Sequence, residues 1–269
     1  MFDSGFGGLT VARAFIDLLP EEDLVYVGDT GRYPYGPRSL DQVAGFAHEI
    51  ARYLVDAHDV KLLVVACNTA AAAALGTLRA QLDVPVMGVI DPGVRSLVRA
   101  TETGRVGVIG TVGTVGSGAY QRAVESSGAA VDLTVAACPG FVEFVESGET
   151  DSDQVHVLAE RLLAPIVEAK VDALLLGCTH YPYLARTITD VVGRDVVLVS
   201  SADETAFEAL AMFHDRSPAP DEPALAPAAP GRTGTHRFVS SGDVERFRDL
   251  GARLLGPELA AAERAPWSP

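Results

Sequence analysis

The sequence predicts an α/β fold of two pseudo-symmetric domains with mostly parallel sheets and an active site in the cleft between them. Three observations carry that prediction. Short apolar runs alternate with helix-like segments along the 269 residues, the pattern of βαβ units. The order of features then repeats once, with Cys67 and Cys178 standing 111 residues apart. Both cysteines end an apolar run and precede small polar residues, in "LLVVACNTA" (62–70) and "LLLGCTHYP" (174–182).

Seven runs read as strands: "DLVYVGD" (23–29), "KLLVVAC" (61–67), "VPVMGVI" (84–90), "RVGVIGT" (105–111), "AVDLTVAAC" (130–138), "DALLLGC" (172–178) and "DVVLVSS" (195–201). Helical patterns lie between them at 39–57, 70–82, 117–127, 153–169 and 203–214. "VMGVIDPG" and "VVLVSSAD" keep the offset of the cysteines. "DSGFGG" near residue 3 finds its counterpart in "GTVGTVGSG" near residue 110. The repeat divides the chain into a first domain of 1–94 with 206–269 and a second of 95–205. Parallel strands gather loops and helix N-termini at their carboxyl edge, where α/β proteins bind ligands. "SPAPDEPALAPAAPG" (217–231), with five prolines, reads as a flexible or extended surface loop. Residues 237–256 read as a strand, a capping turn and a helix with Val244, Phe247, Leu250 and Leu254 inward. The closing "AAAERAPWSP" (260–269) reads as a loose tail.

A formal charge of −15 argues against nucleic acid or an anionic membrane as partner. No apolar run approaches the length of a membrane span, and the N-terminus has no signal-peptide pattern. Three scattered cysteines suit a reducing, cytoplasmic setting. The two lysines, Lys61 and Lys170, each precede an apolar run and so stand at the opening end of a strand. Neither position suits a Schiff base to pyridoxal phosphate, so the chemistry is expected to need no such cofactor.

Cys138, in "AACPGF", reads as a buried space-filler. At Cys67 and Cys178 a strand end meets a helix start, where backbone N–H groups and the helix dipole favour a thiolate. Three chemistries fit that placement. Cys67, Cys178 and His180 could hold a zinc ion with a water as fourth ligand. Two cysteines could form a redox pair. Mirrored thiols on opposite faces of one carbon could also invert a stereocentre, one removing the Cα proton and the other returning a proton.

"FDSGFGGLT", "VGDTGRYPYG", "ACNTA", "GVIDPG", "GTVGT", "ACPGFVEFVESG", "GCTHYP" and "SSGDVERF", in this order and spacing, resemble the cofactor-independent glutamate racemases of the aspartate/glutamate racemase family. The resemblance implies interconversion of L- and D-glutamate for peptidoglycan without a cofactor or metal, in the cytoplasm, by a protein expected to form a homodimer. It implies that Cys67 and Cys178 are the acid/base pair, assisted by Asp3, His180 and Glu146. It also implies substrate contacts from Asp3, Ser4, Tyr35, Gly36, Asn68, Thr69, Thr179 and His180. Apart from the closing "SSGDVERF", these motifs contain no lysine, and arginine stands only at their margins, as Arg32 and Arg38. The substrate carboxylates are therefore expected on backbone N–H groups, hydroxyls and amides. Two departures stand out. Only Met1 and Phe2 precede Asp3, where relatives have several strand residues, so Asp3 is expected to be loosely held. Glu143 occupies a place usually held by proline.

Overall fold

The computed structural model describes residues 1–214, 225–229 and 231–267. The first half runs β1 (Phe2–Asp3), α1 (Leu9–Leu18), β2 (Leu24–Gly28), α2 (Leu40–His58), β3 (Leu63–Val65), α3 (Asn68–Gln81), β4 (Val86–Gly88) and α4 (Ile90–Ala100). The second runs β5 (Arg105–Gly110), α5 (Val112–Gly116), α6 (Ala119–Ser126), β6 (Asp132–Ala137), α7 (Phe141–Ser147), α8 (Asp153–Glu168), β7 (Ala173–Gly177), a 3-10 turn (Tyr181–Leu184), α9 (Ala185–Val192) and β8 (Val197–Val199). The chain then returns through α10 (Ala202–His214), β9 (His236–Ser240), α11 (Val244–Leu255) and β10 (Glu263–Arg264).

Two sheets form, and every strand pair in them is parallel. Their orders are β10-β9-β2-β1-β3-β4 and β6-β5-β7-β8. The four strands β2-β1-β3-β4 thus have their equivalents, in the same order, in β6-β5-β7-β8. This is the pseudo-symmetry that the repeated motifs predict. Strands reverse direction of addition at β1 in one sheet and β5 in the other. Those are the switch points where a crevice opens.

All seven predicted strands form, because strands covered on both faces are apolar throughout. In β3 and β7 every residue is buried. Helix starts follow local chemistry. The Ser39, Ser152 and Asp243 side chains accept from the N–H groups of Gln42, Val155 and Arg246, capping α2, α8 and α11. On α11 the stripe turned fully inward is Phe247, Gly251 and Leu255, while Leu250 and Leu254 flank it, half-buried.

Three expectations are corrected. The short β1 is firmly seated between β2 and β3, with Phe2 and Asp3 fully buried. The closing segment is docked rather than loose: β10 pairs with β9, and Trp267 packs edge-on against Tyr53 at 5.0 Å. An apolar ring with a face to cover outweighs the entropy of a short tail. The helices α1, α4, α7 and α9 form where no helix was expected. The described residues 225–229 of the Pro-rich segment have no regular secondary structure, in line with a surface loop, and are tied to the first lobe: Leu225 is buried, the Ala228 N–H donates to Glu22 and Lys61 to the Ala226 carbonyl. Residues 217–224 and 230 of that segment lie outside the described residues. Among the described residues, no helix is long and apolar enough to cross a membrane.

Candidate active site

The switch points place the predicted residues together. Cys67 ends β3 and caps α3 in an extended conformation, and Cys178 follows β7. Both thiols are buried, at 5% and 7% exposure, and both line one cavity between the lobes. That cavity measures about 20 Å³, room for one water. A larger cleft of about 450 Å³ opens beside Met1, Phe15, Val60 and Lys61, at the opposite edge of the first sheet and away from both thiols. The chemistry belongs to the small one.

Asp3, at the end of β1, accepts from the Gly5 N–H at 2.8 Å and from the Thr179 hydroxyl at 3.2 Å. The second of these bonds crosses from one lobe to the other. Burial raises its pKa, against the opposing charge of His180. The glycines of "DSGFGG" serve this crossing. A Cβ on Gly7 would collide with the Thr179 hydroxyl and the His180 ring, so only glycine lets the two lobes touch here.

His180 stands between two partners. Its Nδ1 faces the Cys178 sulfur at 3.9 Å, and its Nε2 lies 3.0 Å from Glu146 Oε1. Burial alone would lower its pKa. The bonds to Cys178 and Glu146, with the charges of Cys178 and Asp3, outweigh burial and raise it to about 10. The imidazole is therefore protonated at neutral pH. Glu143 lies in the first turn of α7, one turn before Glu146, and is absent from the cavity wall.

Cys67 contradicts the expectation of an acidified thiol. Its pKa is pushed up to about 12, first by burial and then by the Asp3 carboxylate. The Ala70 N–H and the Ser4 hydroxyl pull the other way and lose. Proximity to a helix N-terminus was visible in the sequence; the depth of burial was not. Cys138 is buried in the second lobe's core and is likewise raised to about 12. It touches the mouth of the site through a side pocket with Pro34 and Val142.

Tyr35 and Gly36 line the cavity, but the Tyr35 side chain does not serve it. Its hydroxyl donates to the buried Asp29 carboxylate, which also accepts from Arg32 Nε at 2.8 Å and from the Ser241 hydroxyl at 2.5 Å. Only the backbone of this turn is left for a ligand. The Gly36 carbonyl accepts from the Gly113 N–H at 3.0 Å, a second tie between the lobes. Arg32 is committed to Asp29 and Glu49, and among the described residues no arginine or lysine lines the cavity.

Several residues of the wall were not named from the sequence: Tyr33, whose ring stacks 6.2 Å from His180, Pro34, Val142 and Thr111. Thr111 and Thr114, at the start of α5, form a triangle of hydroxyls with Thr69, all three sides between 3.0 and 3.1 Å. Thr111 follows β5 as Ser4 follows β1, so the repeat itself carried the signal. Among the described residues, no three His, Cys, Asp or Glu side chains converge in a geometry that could hold a metal ion.

The wall of this cavity presents two thiols, one imidazolium and a set of hydroxyl and amide groups, while the Asp3 and Glu146 carboxylates stand behind it, bonded to Thr179 and His180. Comparison with known proteins gives the family. The family model for Asp/Glu/hydantoin racemases matches residues 10–209. The glutamate racemase of Acidothermus cellulolyticus is 52% identical over 259 residues, covering 96% of this chain and 95% of its own. Among solved structures, glutamate racemase isoform RacE1 from Bacillus anthracis superposes with a TM-score of 0.88 at 39% identity, over 98% of this chain and 94% of that one. The Francisella tularensis glutamate racemase, solved with D-glutamate, gives 0.87 at 29% identity over 98% and 95%. With a family match across most of its length and relatives of this identity, the chain belongs to the Asp/Glu/hydantoin racemase family, and is an isomerase.

Proposed function

We propose that this protein interconverts L- and D-glutamate by a two-base mechanism that needs no cofactor. One observation carries the reading: Cys67 and Cys178 stand at equivalent strand ends, β3 and β7, and line a single cavity. A thiolate on one face takes the Cα proton, and the thiol on the other face delivers one, so the configuration inverts and no net proton is consumed. The imidazolium of His180, 3.9 Å from the Cys178 sulfur, favours negative charge on that side, and Glu146 orients the ring. Asp3 is the proton partner on the Cys67 side. The carbanion's charge spreads onto a carboxylate held by hydroxyls and N–H groups of Ser4, Asn68, Thr69 and Thr179, with the backbone of Tyr35 and Gly36.

A cavity of about 20 Å³ does not admit an amino acid, so the lobes part to load it. In this reading the motion turns on α4 and α10, the helices through which the chain passes between the two sheets. In this reading the enzyme supplies D-glutamate for peptidoglycan in the cytoplasm and acts as a homodimer. The test is circular dichroism of L-glutamate and of L-aspartate incubated with the pure protein and no pyridoxal phosphate. Decay of the glutamate signal to zero supports the reading. Decay of aspartate alone reassigns the substrate, and decay of neither ends the proposal. Cα deuterium exchange separates an enzyme from a protein that only binds an acidic ligand.

A further inference from the structure

Asn68 follows Cys67 and begins α3, and its side chain is 3% exposed. Its Oδ1 accepts a 2.6 Å hydrogen bond from the Tyr120 hydroxyl, which comes from α6 in the opposite lobe. Its Nδ2 is buried, has no partner and belongs to a residue lining the cavity. A buried, unpaired donor costs about 1–3 kcal/mol, and a ligand oxygen relieves that cost. The amide has two orientations, and a carboxylate-binding wall needs the one with NH2 outward.

Tyr120 settles that choice from behind. The ring is 1% exposed and lies against Gly177, the residue before Cys178. A Cβ on Gly177 would come within 2.9 Å of the ring and 3.0 Å of its hydroxyl. One side chain therefore touches the residue after the first thiol and the residue before the second. Burial and the nearby Cys178 keep the phenol protonated, as a donor should be.

We infer that Tyr120 is a positioning residue: by donating to Oδ1 it holds the Asn68 amide with its NH2 facing the substrate carboxylate, and it does so only when the lobes are together. The inference rests on the racemase reading for its substrate, but the Tyr120–Asn68 link can be measured without it. Asn68 is the sole asparagine of the chain, so selective 15N-asparagine labelling yields one side-chain NH2 pair.

In the wild type that pair shows two separate resonances, and D-glutamate shifts them. In Tyr120→Phe they broaden or merge, and the response to D-glutamate shrinks. Kinetically, Tyr120→Phe raises KM for both enantiomers about five- to tenfold, the scale of one hydrogen bond. kcat and the melting temperature change little. In an Asn68→Ala background the same substitution adds nothing further to KM, since the residue it acts through is gone. An unchanged NH2 pair in Tyr120→Phe, or additive KM effects in the double variant, overturns the inference. Should Tyr120→Phe not fold, Asn68→Asp decides. It keeps an acceptor for Tyr120 but turns an oxygen to the substrate, so D-glutamate binding is lost; retained binding overturns the inference. A wild type that leaves glutamate unchanged, with the NH2 pair still dependent on Tyr120, would sink the substrate assignment and leave the link standing.

Discussion

Glu146 Oε1 accepts from His180 Nε2 at 3.0 Å, and this bond holds a buried imidazolium against the Cys178 sulfur. The folded protein keeps that proton until about pH 10, whereas an unfolded histidine releases it near 6.5. Between those values the folded state binds more protons, so stability falls as pH rises through the window and is fully present below 6.5. The contribution is on the order of 5 kcal/mol. Melting temperatures from pH 6.5 to 8.5 should decline in the wild type and decline less steeply in Glu146→Gln, where the anionic acceptor is gone but Cys178 and Asp3 still favour the imidazolium. Parallel curves for the two proteins would separate His180 from the slope.

Cys67 sets a second, higher window. The folded thiol holds its proton to about 12, and the reference thiol releases it at 9.0. The folded state again binds more protons between those values, so the stability is present below pH 9 and lost above it. Cys67→Ser should lessen the alkaline decline above pH 9, to which Cys138 and His180 also contribute, and leave the decline between 6.5 and 8.5 intact. Chemical denaturation at pH 8 and pH 10 measures both, and loss of the lower slope in this variant would contradict the assignment.

The Asp29 network makes a different kind of claim. Asp29 accepts from Arg32, Tyr35 and Ser241 with no exposure at all. Asp29→Asn leaves a buried guanidinium underpaired, at a cost of about 3–5 kcal/mol. Tyr35→Phe removes one hydrogen bond and should cost about 1 kcal/mol of stability. Because the Tyr35 hydroxyl points away from the cavity, KM for glutamate in this variant should change by less than the roughly fivefold that a lost substrate bond costs. A larger rise in KM at unchanged stability would return the hydroxyl to the substrate.

How much of this was written plainly in the chain depends on the physical signal. Strands buried on both faces leave unbroken apolar runs, so β2 to β8 were legible, and the repeat located the cleft before any coordinates. α4 was missed because "IDPG" reads as a turn, although proline in a first helical turn costs little. The docked C-terminus depends on Trp267 meeting Tyr53 some two hundred residues away in sequence, and no local pattern encodes that. At the site, cysteines, Asp3, Glu146 and His180 were all named from motifs. The direction of the Cys67 shift was not, because burial is a tertiary quantity. Tyr35 illustrates the same limit: the motif names the residue but not which of its atoms faces the cavity.

The two thiols are unequal, and the last prediction tests what that inequality does. Cys178 has a cation at 3.9 Å, while Cys67 has a carboxylate beside it and a pKa of about 12. In the two-base reading this inequality favours Cys67 as the acid, with the proton leaving the substrate on the Cys178 side. By family resemblance, Cys178 serves L-glutamate and Cys67 serves D-glutamate. Racemisation cannot reveal the bias in kcat/KM, because an equilibrium constant of one makes the two directions equal. A substrate analogue with a β-leaving group escapes that constraint, since it needs proton abstraction only. Elimination from the L-form should outpace elimination from the D-form at pH 7 in the wild type. Replacing either cysteine by serine should cut racemisation by at least about 10³-fold in both directions, since each turnover needs an acid and a base. Elimination separates the variants: Cys67→Ser keeps it for the L-form, and Cys178→Ser keeps it for the D-form. Either variant racemising near the wild-type rate would end the two-base reading. Swapped elimination preferences would reverse only the facial assignment, and equal elimination of both forms by the wild type would remove the bias argued from His180 and Asp3.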